Sequence, residues 1–299
     1  GGADDPLRSH EFADALFAAA IPLGFLLASA LMVLVHFQCR RHAWAEADDW
    51  HPPQLKYSQL KERQMTKKPV AEWTTDADLF DLMRRELFTA VIGDVMDKIG
   101  LQKQFLPPYL NVLDRSMIIA GRAVTVLEAD VFAESIKGSA NPLMTKPFGL
   151  MFEALDSLTQ DDVYICTGAS PDFALWGGLM STRARHLRAA GAVLDGYVRD
   201  STEILEIGVP IASRGCYAQD QGPRGKVLDY NVPLRIGGVD VRPGDIVFAD
   251  CDGIVIVPRD READVIRRAL EKVRTESAVR KALAGGMSTV EAFEKFGVM

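Results

Sequence analysis

The chain has 299 residues, 48% hydrophobic and 25% charged, with a formal net charge of -7, which leaves room for one large globular domain or two small ones. No long basic run occurs, so the electrostatic footprint of a nucleic-acid-binding protein is missing. Four cysteines (39, 166, 216 and 251) lack C-x-x-C spacing, which argues against a disulfide framework or a cysteine zinc site and fits reduced thiols.

The first 64 residues differ in kind from the rest. Ala15 to Val35 is uncharged and rich in Ala, Leu, Phe and Val, long enough as a helix to cross a bilayer. Arg40 and Arg41 follow it, whereas Asp4, Asp5, Glu11 and Asp14 precede it, so an anchor here would place the C-terminal side in the cytoplasm. The other open reading begins the protein at Met65-Thr66-Lys67-Lys68, with residues 1–64 as an upstream extension; membrane contact follows only from the first. Residues 43–64 read as a polar linker, and residues 65–299 as the main domain.

From residue 75 the pattern becomes regular. Thr75 and Asp76 cap a helix that carries Leu79, Met83 and Leu87 on one face. A second helix runs from about Ala90 to Ile99 and ends at Gly100. Ser116 to Ala120 and Arg122 to Leu127 have strand character, and Phe148 to Leu158 reads as a helix. The central unit follows: strand Asp162–Thr167, loop Pro171–Trp176, helix Leu179–Ala190 closed by Gly191, strand Ala192–Val198, short helix Ser201–Ile207 ended by Gly208, and strand Val209–Ser213. Alternation of this kind implies crossover connections. After Gly225 the character turns to β, with strands at 239–241, 246–249 and 254–257 separated by Pro-Gly-Asp and Asp-Cys-Asp-Gly turns. A long helix from Arg261 to about Ala284 stops at Gly285-Gly286, and a short helix over Val290–Phe296 closes the chain.

Histidine placement limits the chemistry. Four of five histidines lie before residue 60, leaving only His186, which falls in a helix and reads as a surface residue. A metal in the main domain therefore needs oxygen ligands, which points to magnesium, manganese or calcium rather than zinc or copper.

The central unit offers such a site. Gly177-Gly178 stands at a helix start, where the N–H groups of Gly178, Leu179 and Met180 lack intrahelical acceptors and favour an anion. The next strand ends at Arg199-Asp200, and in open α/β sheets ligands bind outside the carboxyl ends of strands. Arg199 can clasp a carboxylate. Asp200 is a hard ligand for a divalent cation, and Glu203 lies one helical turn on. Arginine, metal and amides together suit a 2-oxo acid, whose cleavage next to the carbonyl leaves an enolate to be stabilised. The plain alternative is a Gly-Gly turn and a surface Arg-Asp pair worth little.

Residues 75–299 resemble the RraA-like family, which includes 4-hydroxy-4-methyl-2-oxoglutarate/4-carboxy-4-hydroxy-2-oxoadipate aldolases and related oxaloacetate decarboxylases. The family pattern G-x20-R-D-x2-E/D is met by Gly178, Arg199, Asp200 and Glu203, and LDGYVRD (194–200) and PGDIVFADCDGIVIVP (243–258) are similar to it. The resemblance implies an αββα sandwich of the swivelling β/β/α type, assembled as a homotrimer or a dimer of trimers. It implies a lyase that cleaves a 4-hydroxy-2-oxo dicarboxylic acid or decarboxylates oxaloacetate to give pyruvate. By position, Gly177, Gly178, Leu179 and Met180 would supply substrate-binding amides, Arg199 would bind the substrate carboxylate, and Asp200 would hold Mg2+ or Mn2+. A neighbouring subunit would add an acidic residue from its C-terminal helix, and Glu276 is the candidate here. The family's other known role, inhibition of a ribonuclease or of its helicase partner, is the alternative. The sequence departs from many aldolase-like members in one place: Gly178 stands where they carry an acidic residue.

Weaker candidates have structural readings. Asp195 caps a turn, Asp250 and Asp252 bracket another, and Lys137 and Lys146 read as solvated lysines. No G-x-G-x-x-G, Walker or G-x-S-x-G pattern is present, and nothing supports binding of a methyl donor.

Overall fold

The computed structural model describes residues 73–297. Two helices open it, α1 (Asp76–Glu86) and α2 (Thr89–Lys98). Thr75 starts α1 with a capping box: the Asp78 N–H donates to Thr75 Oγ1 at 3.1 Å, and the Thr75 N–H donates to Asp78 Oδ2 at 3.2 Å, which satisfies two otherwise orphaned donors. Phe88, at the start of α2, has no capping side chain. Asp250 reaches over from the sheet instead, accepting from Thr89 N–H at 2.8 Å and from Thr89 Oγ1 at 2.6 Å. The same carboxylate accepts from Asp252 N–H at 2.9 Å, so the turn that the sequence indicates also anchors a helix.

After β1 (Asn111–Val112) comes β2 (Ile119–Asp130), a single 12-residue strand where the sequence suggests two short ones. Gly121 does not break it. It is there for close packing, since a Cβ at 121 would lie 2.9 Å from Ala190 Cβ and from Val163 Cγ2. The next helix, α3 (Met151–Asp156), is shorter than expected, because Phe148 (φ 57°) and Gly149 (φ 64°) are left-handed and cannot join it.

The central unit runs β3 (Asp162–Thr167), β4 (Ala174–Trp176), α4 (Gly178–His186), β5 (Gly191–Leu194), β6 (Tyr197–Val198), α5 (Ser201–Ile207) and β7 (Ile211–Ser213). Two expectations need correction. The segment 192–198 is not one strand: β5 stays in the main sheet, whereas β6 leaves it after Asp195-Gly196 to pair with β4. Residues 171–176 accordingly contain a strand as well as a loop. Helix α4 also ends early, with Arg188 in the left-handed region at φ 61°. The chain finishes with β8 (Gly225–Tyr230), β9 (Leu234–Ile236), β10 (Val239–Val241), β11 (Ile246–Asp250), β12 (Gly253–Val257), α6 (Glu262–Ala284) and α7 (Thr289–Phe296).

The main sheet has the order β1-β7-β5-β3-β2-β11-β12, with β8 also paired to β2. Its centre, β7-β5-β3-β2, is parallel, and β11 and β12 run antiparallel. Side chains alternate between the two faces with the strand period of two. Val124, Val126, Tyr164, Cys166, Ala192 and Leu194 face α3, α4 and α5. On the same side, Ala120, Phe248, Val255 and Val257 pack under α1, α2 and α6. The alternate residues, among them Val163, Ile165, Val193 and Val247, pack against Ile236, Val239 and Val241 of the β9–β10 hairpin. The result is a helical layer, a central sheet and a second β layer, the β/β/α arrangement the resemblance implies. Among the described residues no helix is long and apolar enough to cross a membrane; the 15–35 segment lies outside them.

Candidate functional site

The paired ends of β4 and β6 build the site. They run parallel with Trp176 opposite Val198, so Gly177 and Arg199, the residues that follow, emerge side by side. The Arg199 N–H donates to the Trp176 carbonyl at 2.9 Å and fixes that juxtaposition. The indole of Trp176 is buried below, donating to Ser181 Oγ at 2.7 Å and packing on Tyr164 with ring centroids 5.1 Å apart. Both strands end at the mouth of the parallel sheet, where α/β folds place ligands.

Gly177, Gly178, Arg199, Asp200 and Glu203 converge here. Asp200 Oδ2 accepts from the Gly178 N–H at 3.1 Å, so the amide of Gly178 is already taken by a protein carboxylate. The N–H groups of Leu179 and Met180 have no acceptor among the described residues and remain available at the positive end of α4. A side chain at 177 would put its Cβ 2.7 Å from Asp200 Oδ2 and 3.4 Å from Arg199 Nε. At 178 the Cβ would overlap Glu203, lying 2.6 Å from its Cδ. Each glycine is thus filled over by a carboxylate from the far side of the site. The space that an acidic side chain at 178 would need already holds the Glu203 carboxylate, contributed by α5.

Arg199 Nε lies 3.8 Å from Asp200 Oδ2, and its Nη1 pairs with Asp220 Oδ1 at 2.8 Å. Sequence reasoning missed Asp220. It belongs to an irregular Gln-Asp-Gln-Gly-Pro stretch between strands, and only the fold brings it to the guanidinium. The Arg199 side chain keeps 39% of its exposure and that of Asp200 45%, and Leu179 is 86% exposed. Within one chain the site is therefore an open surface. Met180 is half-buried against the core under α4.

Glu276 is not part of this group within the chain. It lies on α6, which packs with α2 and α7, and its carboxylate pairs with Lys272 Nζ at 2.9 Å. Among the described residues no three His, Cys, Asp or Glu side chains converge as a metal cage. A cavity of about 680 Å³ opens elsewhere, lined by Lys103, Arg242, Arg259 and Arg261 among others. It contains none of the residues around Gly177–Glu203.

The remaining candidates behave structurally. Asp195 accepts from Arg214 Nη2 at 2.7 Å and from Thr167 Oγ1 at 2.7 Å. Lys146 pairs with Glu153, and His186 is exposed at the end of α4.

A family model described as RraA-like, Aldolase/RraA, matches residues 89–256. The chain belongs to the RraA-like family. Among its relatives, Protein DlpA of Legionella pneumophila is 28% identical over 209 residues, covering 70% of this chain and 32% of DlpA. A 4-hydroxy-4-methyl-2-oxoglutarate aldolase of Thermus thermophilus is 32% identical over 96 residues, covering 32% of this chain and 58% of that protein. The matches thus span only about a third and somewhat over half of these relatives' own lengths. A solved structure of Streptomyces coelicolor RraAS2, described as an unusual member of the RNase ES inhibitor RraA protein family, superposes with a TM-score of 0.57 at 24% identity. It covers 72% of this chain and 98% of that one, and shares the RraA-like fold.

Proposed function

We propose that this RraA-like chain is a divalent-metal-dependent carbon–carbon lyase that releases pyruvate from a small 2-oxo acid. The substrate is a 4-hydroxy-2-oxo dicarboxylic acid cleaved as an aldol, or oxaloacetate undergoing decarboxylation. The observation that carries the reading is the convergence of Arg199, Asp200 and Glu203 on the start of α4.

The donor chemistry fits Mg2+ or Mn2+. Only oxygen ligands are at hand, and magnesium is commonly held by one or two carboxylates with water filling the other positions. Asp200 would hold it, through the oxygen not engaged by Gly178. When bound, the cation polarises the 2-oxo group and supports the negative charge that develops there. The protein's own groups do the rest. Arg199, steadied on one edge by Asp220, has its remaining guanidinium donors for the substrate carboxylate. The amides of Leu179 and Met180 face the developing enolate oxygen. In aldol cleavage a base removes the 4-hydroxyl proton, the C3–C4 bond breaks, and its electron pair forms the pyruvate enolate, which is then protonated at C3. Glu203, exposed and suspended over Gly178, is the carboxylate placed to relay that proton. Decarboxylation breaks the C3–C4 bond of oxaloacetate, loses CO2 and passes through the same enolate.

Because the site lies open in one chain, we place its cover in a second copy, within a homotrimer or a dimer of trimers. Glu276 of that copy is the candidate acidic contributor. A coupled pyruvate assay with Mg2+, then with EDTA, tests the whole reading. Pyruvate release that stops on chelation, and that is lost in Asp200→Asn, is the expected result. No pyruvate from either substrate class would overturn it and favour the ribonuclease-inhibitor role instead.

A further inference from the structure

One acidic residue has no part in the chemistry above and is nonetheless the most deeply buried in the domain. Glu128, on β2, is 1% exposed. Its Oε2 accepts from Gln221 Nε2 at 2.7 Å, and its Oε1 has no partner. Around it lie the phenol of Tyr164, also buried and unpartnered, and the thiol of Cys166. Burial pushes the Glu128 carboxyl up to about 8, so it is held neutral near pH 7, and the same burial raises the phenol and the thiol, keeping both protonated. A hydrocarbon side chain would fill this space at lower cost. An orphaned buried oxygen therefore calls for a reason.

The contacts of Gln221 supply one. Its carbonyl accepts from the Arg224 N–H at 2.7 Å and the Gly225 N–H at 2.9 Å. The adjacent Asp220 carbonyl accepts from Arg224 Nη1 at 3.0 Å, and Asp220 Oδ2 accepts from the Gly222 N–H at 3.2 Å. Asp220 Oδ1 is left for Arg199 Nη1, at 2.8 Å. Before the turn, the Gln219 carbonyl accepts from the Ala174 N–H at 2.8 Å, tying it to the strand that leads into Gly177. Gln221 is the one side chain of this turn that reaches into the core, and Glu128 is its acceptor.

We propose that Glu128 and Gln221 form a buried positioning pair for Arg199: they pin the 219–225 turn, and that turn presents Asp220 to the guanidinium. The inference rests on the reading of Arg199 as the carboxylate-binding group. The ionisable and polar groups facing Glu128 are Tyr164 and Cys166 from β3 and Gln221 from the turn.

The test uses the full chain, with oxalate as a binding probe alongside turnover and hydrogen exchange. Glu128→Leu and Gln221→Met each remove one half of the pair while keeping side-chain bulk; Glu128→Gln keeps an acceptor for Gln221 without an ionisable group. The two apolar variants are expected to weaken oxalate binding and raise KM by about tenfold, the size of one lost positioning hydrogen bond, with kcat changed far less. Amide exchange across 219–225 should speed up in both. Glu128→Gln should match the wild type in oxalate binding and KM, and its thermal advantage should widen as pH rises from the unfolded carboxyl value near 4.5 to about 8 and stay level above that, because the folded wild type must keep a proton that its unfolded form gives up. Wild-type oxalate binding and exchange in both apolar variants would overturn the pair. If the wild-type chain neither binds oxalate nor forms pyruvate, the lyase reading fails by itself; the exchange rates still report whether Glu128 holds the turn.

Discussion

Substituting Gly178 by alanine separates the role of the Glu203 carboxylate from the stability of the fold. The new methyl would sit 2.6 Å from Glu203 Cδ, about 1 Å inside ordinary carbon–carbon contact at 3.5–4.0 Å. Relief comes from the flexible side, because Glu203 is exposed, so its side chain swings away at a rotamer cost of about 0.5–1.5 kcal/mol. Replacing glycine with alanine at a helical position returns up to about 1 kcal/mol. The two nearly cancel, so Tm should move by no more than about 2–4 °C for a domain of this size. Activity should not be spared. Loss of a positioned proton-transfer group typically costs roughly 10² to 10⁴ in rate, and a fall in kcat of at least about 10² is expected. Circular-dichroism melting and the coupled pyruvate assay measure both quantities on one preparation. Glu203→Gln, which leaves the side chain in place and removes its charge, should show a similar loss. Wild-type kcat in both variants would refute the assignment of Glu203.

Other expectations follow from single contacts. Arg199→Ala removes a charge-assisted grip worth about 1.5–3 kcal/mol and should raise KM by roughly 10- to 150-fold; an unchanged KM in steady-state assays would remove the residue from substrate binding. Asp250→Ala strips the cap from the start of α2, including the 2.8 Å and 2.6 Å bonds to Thr89. It should cost about 1–2 kcal/mol, read in urea denaturation as a lower midpoint with an unchanged slope. The hydrogen bonds from Arg122 hold the Asp76 carboxyl below its usual range. Because a depressed folded value means the unfolded chain binds the proton more readily, this contribution is present above the ordinary carboxyl value near 4 and is lost as pH falls below it. Thermal melts from pH 6 down to pH 2.5 should therefore fall less steeply for Asp76→Asn than for the wild type; parallel curves would show that the pair does not contribute.

Much of the site was readable in the sequence because its parts are local. A Gly-Gly at a helix start and an Arg-Asp at a strand end each announce their backbone setting, and β4 and β6 bring them together across only 20 intervening residues. Asp220 was not readable. It reaches Arg199 through a turn whose position depends on Gln221 and on a carboxyl from β2, a strand far earlier in the chain. Glu128 carries a visible sign, an acid set within the apolar run of residues 123–131, but the sign does not say which partner it meets. The fold errors share a cause. Gly121 and the Asp195-Gly196 step look alike as chain punctuation, yet the first continues a strand because its neighbours crowd it, and the second ends one because the chain switches partners. Early helix ends, such as that of α4, come from single left-handed residues that periodicity does not register.

Asp200 is itself one of those left-handed residues, at φ 59° and ψ 35°. Aspartate and asparagine tolerate that region better than other side chains with a Cβ, for which it costs about 1–2 kcal/mol. Alanine at this position would therefore bend the entry to α5 and shift Glu203 along with the lost carboxylate, blending two injuries into one number. Asparagine keeps the local shape and removes only the charge, whereas glycine keeps the shape and removes the whole side chain. The difference between those two replacements isolates what the acid group does from what the chain direction does.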